Sequence, residues 1–190
     1  MSDDALVIDL LRRNPVLMAV LDRAVTLDLP DCWVVAGAVY QTVWNVLDDR
    51  PPADEIKDYD LAYHDATDLS YEAEDAVIQR AAALFADLGV DVEVRNQARV
   101  HLWFEDHFGT PCAPHASTRA AIDRFPARMA AIGVRRRSDG LELYAPYGTD
   151  DLLSMVVRPN PGLVTRDVYE RKVASWTERW PHLTVLPWPD

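Results

Sequence analysis

Residues 32–47 read CWVVAGAVYQTVWNVL. Cys32 to Ala36 is a short apolar run rich in strand formers, and it ends at Gly37-Ala38. A helical pattern begins at once, with Val39, Thr42, Val43, Val46 and Leu47 at three- and four-residue spacing. A strand that passes straight into a helix through a small-residue turn predicts an α/β architecture. Two readings of Gly37 stand side by side. It makes a tight connection, or it lets the backbone approach a ligand, where the first N–H groups of the helix and its dipole favour a phosphate. The turn is neither a GxGxxG fingerprint nor a Walker A loop, since no Gly-Lys-Ser or Gly-Lys-Thr follows.

Downstream, Asp48 to Lys57 is a polar loop containing Pro51-Pro52. Asp58-Tyr59-Asp60-Leu61-Ala62-Tyr63 alternates with period two and predicts a strand. Side chains two apart on a strand share a face, so Asp58 and Asp60 point the same way. Two like charges side by side cost energy unless something compensates them. A divalent cation does so, and carboxylate oxygens suit hard ions such as Mg²⁺. The spacing fits the polar outer face of an edge strand equally well. Ser70 is a good N-cap for a helix to Leu88, closed by Gly89. Val90 to Val94 predicts another strand, in which Glu93 faces opposite to Val92 and Val94. That side is either solvent or a site shared with Asp58 and Asp60; Asp91 points the same way and competes for the role.

Upstream, Leu6, Leu10, Leu17, Leu21 and Val25 recur at helical spacing, interrupted by Asn14-Pro15. Asparagine caps and proline suits a first helical turn, so two helices should meet at Asn14. Toward the C-terminus residues 97–108 fit helix or strand, with Val100, Trp103, Phe104 and His107 favouring helix; a helix from Ser117 to Phe125 and strands near 133–137 and 141–145 follow. A short helix follows from Thr149, and an amphipathic helix runs from Thr165 to near Trp180. No composition break marks a boundary, so residues 1–190 read as one α/β (α+β) domain with a small mixed sheet and packed helices.

The chain has 190 residues, 31 acidic against 19 basic, for a net charge of -12. That opposes a main affinity for a phosphate backbone, which rests on cationic neutralisation. No run of about 18 apolar residues offers a membrane span. Cys32 and Cys112 lie far apart with no CxxC spacing, so reduced thiols in a cytoplasmic protein are the plain expectation. The acidic N-terminus is the wrong order for a signal peptide. His101 and Glu105, one helical turn apart, read as a surface pair sooner than as metal ligands. Arg135-Arg136-Arg137 reads as a solvated face, and Trp33, Trp44 and Trp103 as core.

Taken together, Gly37-Ala38, the Asp58/Asp60 pair and Glu93 resemble, in order, the pattern of the DNA polymerase β-type nucleotidyltransferase superfamily. WVVAGAVYQTVWN (33–45), DYDLAY (58–63) and EVRNQARVHLW (93–103) look like a bacterial family described as nucleotidyltransferase-like proteins of undefined substrate. The similarity extends through Ala145-Pro146-Tyr147-Gly148, Asp150-Asp151-Leu152 and Arg158-Pro159-Asn160. The resemblance implies a minimal nucleotidyltransferase fold and transfer of a nucleoside monophosphate from an NTP to an acceptor. It implies that Asp58, Asp60 and Glu93 hold two Mg²⁺ ions, or Mn²⁺. It implies that Gly37-Ala38 holds the triphosphate and makes Arg95 and Arg99 candidates for triphosphate or acceptor contacts. Arg95 and Arg99 also read as structural ion pairs. Two departures stand out: Gly-Ala replaces the usual Gly-Gly or Gly-Ser, and the loop before Asp58 is lengthened by Asp49 to Lys57. The net charge points to a small-molecule or protein acceptor, not bulk nucleic acid, and to no membrane partner. The alternative is a catalytically silent nucleotide- or partner-binding module on the same fold.

Overall fold

The structure, a computed structural model, describes residues 2–189. Two helices open the chain, α1 (Asp3–Arg12) and α2 (Pro15–Ala24). They meet at Asn14, whose side chain accepts from the N–H groups of Val16 and Leu17 at 3.0 Å. Pro15 fills the first helical position, where a missing N–H costs nothing. Strand β1 (Trp33–Val35) runs directly into α3 (Gly37–Leu47), and β2 (Asp58–Tyr63) follows the polar loop. Then come α4 (Tyr71–Phe85), capped by Ser70, and β3 (Asp91–Asn96).

Residues 97–108 are helical as expected, but in two pieces: a 3-10 turn over Gln97–Leu102 and α5 (Phe104–Phe108). The tighter 3-10 turn shifts the phase of the side chains. Trp103, expected in the core, is therefore 39% exposed, while Phe104 is buried. Next are α6 (Thr118–Ile122), β4 (Gly133–Arg137), β5 (Gly140–Tyr144) and α7 (Asp150–Leu153). The sequence reading missed two short strands, β6 (Val156–Val157) and β7 (Thr184–Val185). They pair in parallel on either side of α8 (Arg166–Arg179). Two-residue strands leave no periodicity to detect.

Among the described residues the main sheet has strand order β3-β2-β1-β4-β5 and is mixed. Only β2 and β3 run parallel; β1 pairs antiparallel with β2 and β4, and β4 with β5. One face packs against the larger core. Val34, Tyr59, Leu61, Tyr63 and Val94 point there, with Leu11, Leu17, Val43, Trp44 and Phe85 from the helices. The opposite face carries a smaller cluster of Trp33, Val35, Ala62, Ile122 and Ala131. Gly133 belongs to this face for lack of room: a Cβ there would stand 2.9 Å from Ile122 Cδ1. Burying such side chains is the main drive for the fold, about 1.5–3 kcal/mol for each large apolar one. No helix among the described residues is long and apolar enough to cross a membrane.

Candidate active site

The register of the sheet decides which side chains meet. Val35 of β1 lies opposite Asp60 of β2, and Asp60 lies opposite Glu93 of β3. Opposed residues on paired strands project from the same face. Asp58, Asp60, Glu93 and Arg95 therefore rise from the face of the smaller cluster, beyond its edge. Asp91 lies opposite Asp58 on that same face. Of the two β3 acids, Glu93 lines the cleft that opens there, and Asp91 is not among its lining residues.

The cleft has a volume of about 390 Å³. Its floor is the β1–α3 junction. The turn there is made by Ala36, not by Gly37: Ala36 takes φ 47° and ψ -109°, an unusual conformation for a residue with a Cβ. Gly37 is the first residue of α3 and serves as the close-approach position. A Cβ on it would lie 3.2 Å from Gln41 Nε2 and 4.0 Å from Asp60 Oδ2. No side chain caps α3, as is also the case for α5, α7 and α8. The Val39 N–H already donates to the Ala36 carbonyl at 2.9 Å, so the Gly37 and Ala38 N–H groups are the ones the first turn offers to an acceptor. Ala38, grouped with Gly37 as a phosphate contact by the sequence, is fully buried with its side chain in the larger core and is not among the residues that line the cleft.

Charge at the site is unevenly balanced. Burial, then Asp58, then Glu93 push the Asp60 carboxyl up to about 6, against the opposing charges of Lys172 and Arg95. Arg95 reaches Glu93 at 3.5 Å and leaves half of its side chain exposed. Arg99 does not join them. It pairs with Glu74 and donates from Nε to the Leu69 carbonyl at 2.9 Å, with its side chain only 11% exposed. Glu74 in turn accepts the Asn96 N–H at 2.8 Å. Arg99 therefore ties α4 to the 3-10 turn that follows β3, and Glu74 ties α4 to β3 itself. Of the readings offered for Arg99, a triphosphate or acceptor contact or a structural ion pair, the structure shows the ion pair.

The donors suit a hard divalent cation: two carboxylates on one strand and a third on the next. Their mutual repulsion, visible in Asp60, is what such an ion relieves. As the side chains stand, however, no three His, Cys, Asp or Glu groups among the described residues converge to hold a metal. Glu93 is engaged with Arg95 instead.

Three cleft residues escaped the sequence reading. Lys172, on α8, faces the carboxylates from across the cleft. Gln41 accepts from Arg179 Nη1 at 2.6 Å, and Trp176 donates from Nε1 to Tyr40 Oη at 3.0 Å. These bonds tie α8 to α3 and fix it as the far wall. The available signal was scarcity: Lys57 and Lys172 are the chain's only lysines.

A family model described as nucleotidyltransferase matches residues 22–185. A search of curated proteins finds no match. Among solved structures, one described as an NMR structure that "reveals a CCA-adding enzyme head domain" is similar. It is 30% identical, with a TM-score of 0.79, over 96% of this chain and 95% of that one.

Proposed function

The chain belongs to the nucleotidyltransferase family, and from that premise we propose that it transfers a nucleoside monophosphate from an NTP to an acceptor hydroxyl in the β2–β3 cleft. The observation that carries this reading is the register Asp60↔Glu93 beside the uncapped start of α3. It brings three acids and a phosphate-ready helix end to one cleft.

In this reading the first turn of α3 and Arg95 orient the triphosphate. Backbone N–H groups and a guanidinium both match phosphate oxygens. Magnesium or manganese ions, when held by Asp58, Asp60 and Glu93, supply the neutralisation of phosphate charge that the reaction needs. The acceptor oxygen attacks the α-phosphorus and forms the new P–O bond. The bond from the α-phosphorus to the bridging oxygen breaks, and pyrophosphate leaves with that electron pair. Glu93 takes the acceptor's proton. The apolar walls at Phe108, Phe125 and Val164 exclude water that would otherwise compete.

The acceptor is a small molecule or a protein side chain. The net charge is -12, and the one basic run, Arg135 to Arg137, is spent on Asp22, Asp31 and Glu142. A polyanion needs a row of free cations. The solved relative, described as a CCA-adding enzyme head domain, leaves the acceptor of this chain open.

One observation favours a second reading, a nucleotide-binding module without catalysis: the acids do not converge on a common point. Asp60→Ala separates the two. Transfer from labelled NTPs with Mg²⁺, screened against small hydroxyl acceptors, should fall by at least about 10³-fold. Unchanged transfer refutes the assignment. Mg²⁺-dependent stabilisation by NTPs with no pyrophosphate release from the parent protein establishes the silent module.

A further inference from the structure

Seventeen of the nineteen basic residues are arginines, and the two lysines both end at the acidic site. Lys172 lines the cleft; Lys57 lines a separate basin of about 580 Å³. The two recesses meet at Gln41 and Asp58, which line both. One wall of the basin comes from the segment between Asp49 and Lys57, the stretch that lengthens the loop before β2. This wall is held in place. Buried Asn45 donates to the carbonyls of Pro52 at 3.3 Å and Asp54 at 2.9 Å, and Arg179 donates to the carbonyl of Glu55 at 3.0 Å.

The linings differ in kind. The cleft is walled by Phe108, Phe125, Val164 and Trp176, which suit a nucleoside or an uncharged acceptor. Every side chain of the basin is polar or charged. Its arginines are already engaged: Arg50 with Asp54 at 3.2 Å and Glu55 at 3.9 Å, Arg179 with Glu55 at 3.4 Å. Lys57 is its one cation without an ion pair among the described residues. Asp58 and Glu178 share the basin with it.

We propose that this basin receives the metal-chelated pyrophosphate end of the triphosphate, with Lys57 as its charge contact. Lys172, with the first turn of α3 and Arg95, contacts the phosphate that stays in the cleft. The proposal rests on the nucleotidyl-transfer reading and adds where the leaving group goes. Mixed charge is what such a ligand needs: Lys57 for the phosphate oxygens, Asp58 and Glu178 for the cation that the phosphates carry. Lysine suits the role as a mobile point charge, whereas the rigid forks of the arginines are committed to the fold. A polar, wet recess also lets a highly charged product leave without desolvation.

Calorimetric titration of the full chain with magnesium pyrophosphate tests this without knowing the base. Lys57→Gln should weaken binding about tenfold, and Lys57→Arg should restore most of it. Lys172→Gln should leave magnesium pyrophosphate within about twofold while weakening nucleoside monophosphates, tried with each of the four bases. Both lysines are exposed, so unchanged thermal melting is expected and verifies folding. Equal magnesium pyrophosphate affinity in Lys57→Gln and the parent overturns the basin assignment and leaves the cleft reading intact. A parent that binds neither pyrophosphate nor any NTP overturns both.

Discussion

On β4, Arg135 donates to Glu142 at 2.8 Å, lies 3.3 Å from Asp31 and stacks 4.1 Å above the Trp33 ring. Arg136 pairs with Asp22, and Arg137 lies 3.6 Å from Glu142. Every charge of that run is answered within the chain. On β2 and β3, at the other end of the sheet, Asp58, Asp60, Asp91 and Glu93 share a face, and the cations set against Asp60 are Lys172 and Arg95. One half of the sheet is electrostatically complete, and the other carries an excess of negative charge. Internal balance marks structure; imbalance that persists in a folded protein marks a site.

The sharpest way to break this contrast is Arg99, which the sequence groups with the site and the structure groups with the fold. Glu74→Ala leaves the Arg99 guanidinium without its partner in a nearly dry position. Stability should fall by about 3 kcal/mol in denaturant titrations. Nucleotide affinity, measured well below the melting temperature, should stay within about twofold. A selective loss of affinity at unchanged stability would return Arg99 to the site.

Asp60 gives the next largest effect, with the opposite sign. Its folded carboxyl titrates at about 6 against an ordinary 3.8, so the folded state binds the proton more tightly than the unfolded chain. The anion therefore costs stability above pH 6, and that cost fades as pH falls through 6 toward 3.8. Asp60→Asn should raise stability by about 2 kcal/mol at pH 8 with chelator present. The gain should vanish near pH 4. A variant less stable than its parent at pH 8 would show Asp60 to be a structural group, like Glu142.

Arg135 should give the smallest change. Arg135→Ala removes two ion pairs and a cation–π stack that are only partly dry, for about 1 kcal/mol of stability. Transfer activity should be unaltered. A drop in activity would mean that the two halves of the sheet are coupled.

Sequence alone carried the strand at 58–63 because Asp58 to Leu61 alternate polar and apolar and an apolar Ala62-Tyr63 completes the run. It carried the Asn14 junction and the Ser70 and Ser117 caps because capping is local chemistry. Alternation did not choose between Asp91 and Glu93, since both face the same way. The family resemblance favoured Glu93, and Glu93 is the one that lines the cleft. It assigned the turn to Gly37, when the positive φ falls on Ala36. Propensity favours glycine for such angles, and tertiary packing overrides propensity at a constrained junction. Lys172 lay beyond reach because it comes from α8, more than a hundred residues after Asp60. Charges that meet only through long-range packing leave no local pattern.

Asn14 has a consequence for how the molecule ages. Its amide is fully buried, caps α2 and donates to Thr42 Oγ1 on α3 at 2.8 Å and to Tyr59 Oη on β2 at 3.4 Å. Those two elements carry Gly37 and the aspartate pair. Slow hydrolysis of this amide to an acid would bury an anion at the hinge of the N-terminal helices. The usual route to that damage starts when the next residue's backbone nitrogen attacks the side-chain amide. Here the next residue is Pro15, whose nitrogen carries no hydrogen and cannot take that path. The proline that starts α2 thus also makes its cap chemically durable, and peptide mapping of long-stored protein should find Asn14 intact after exposed amides have turned over.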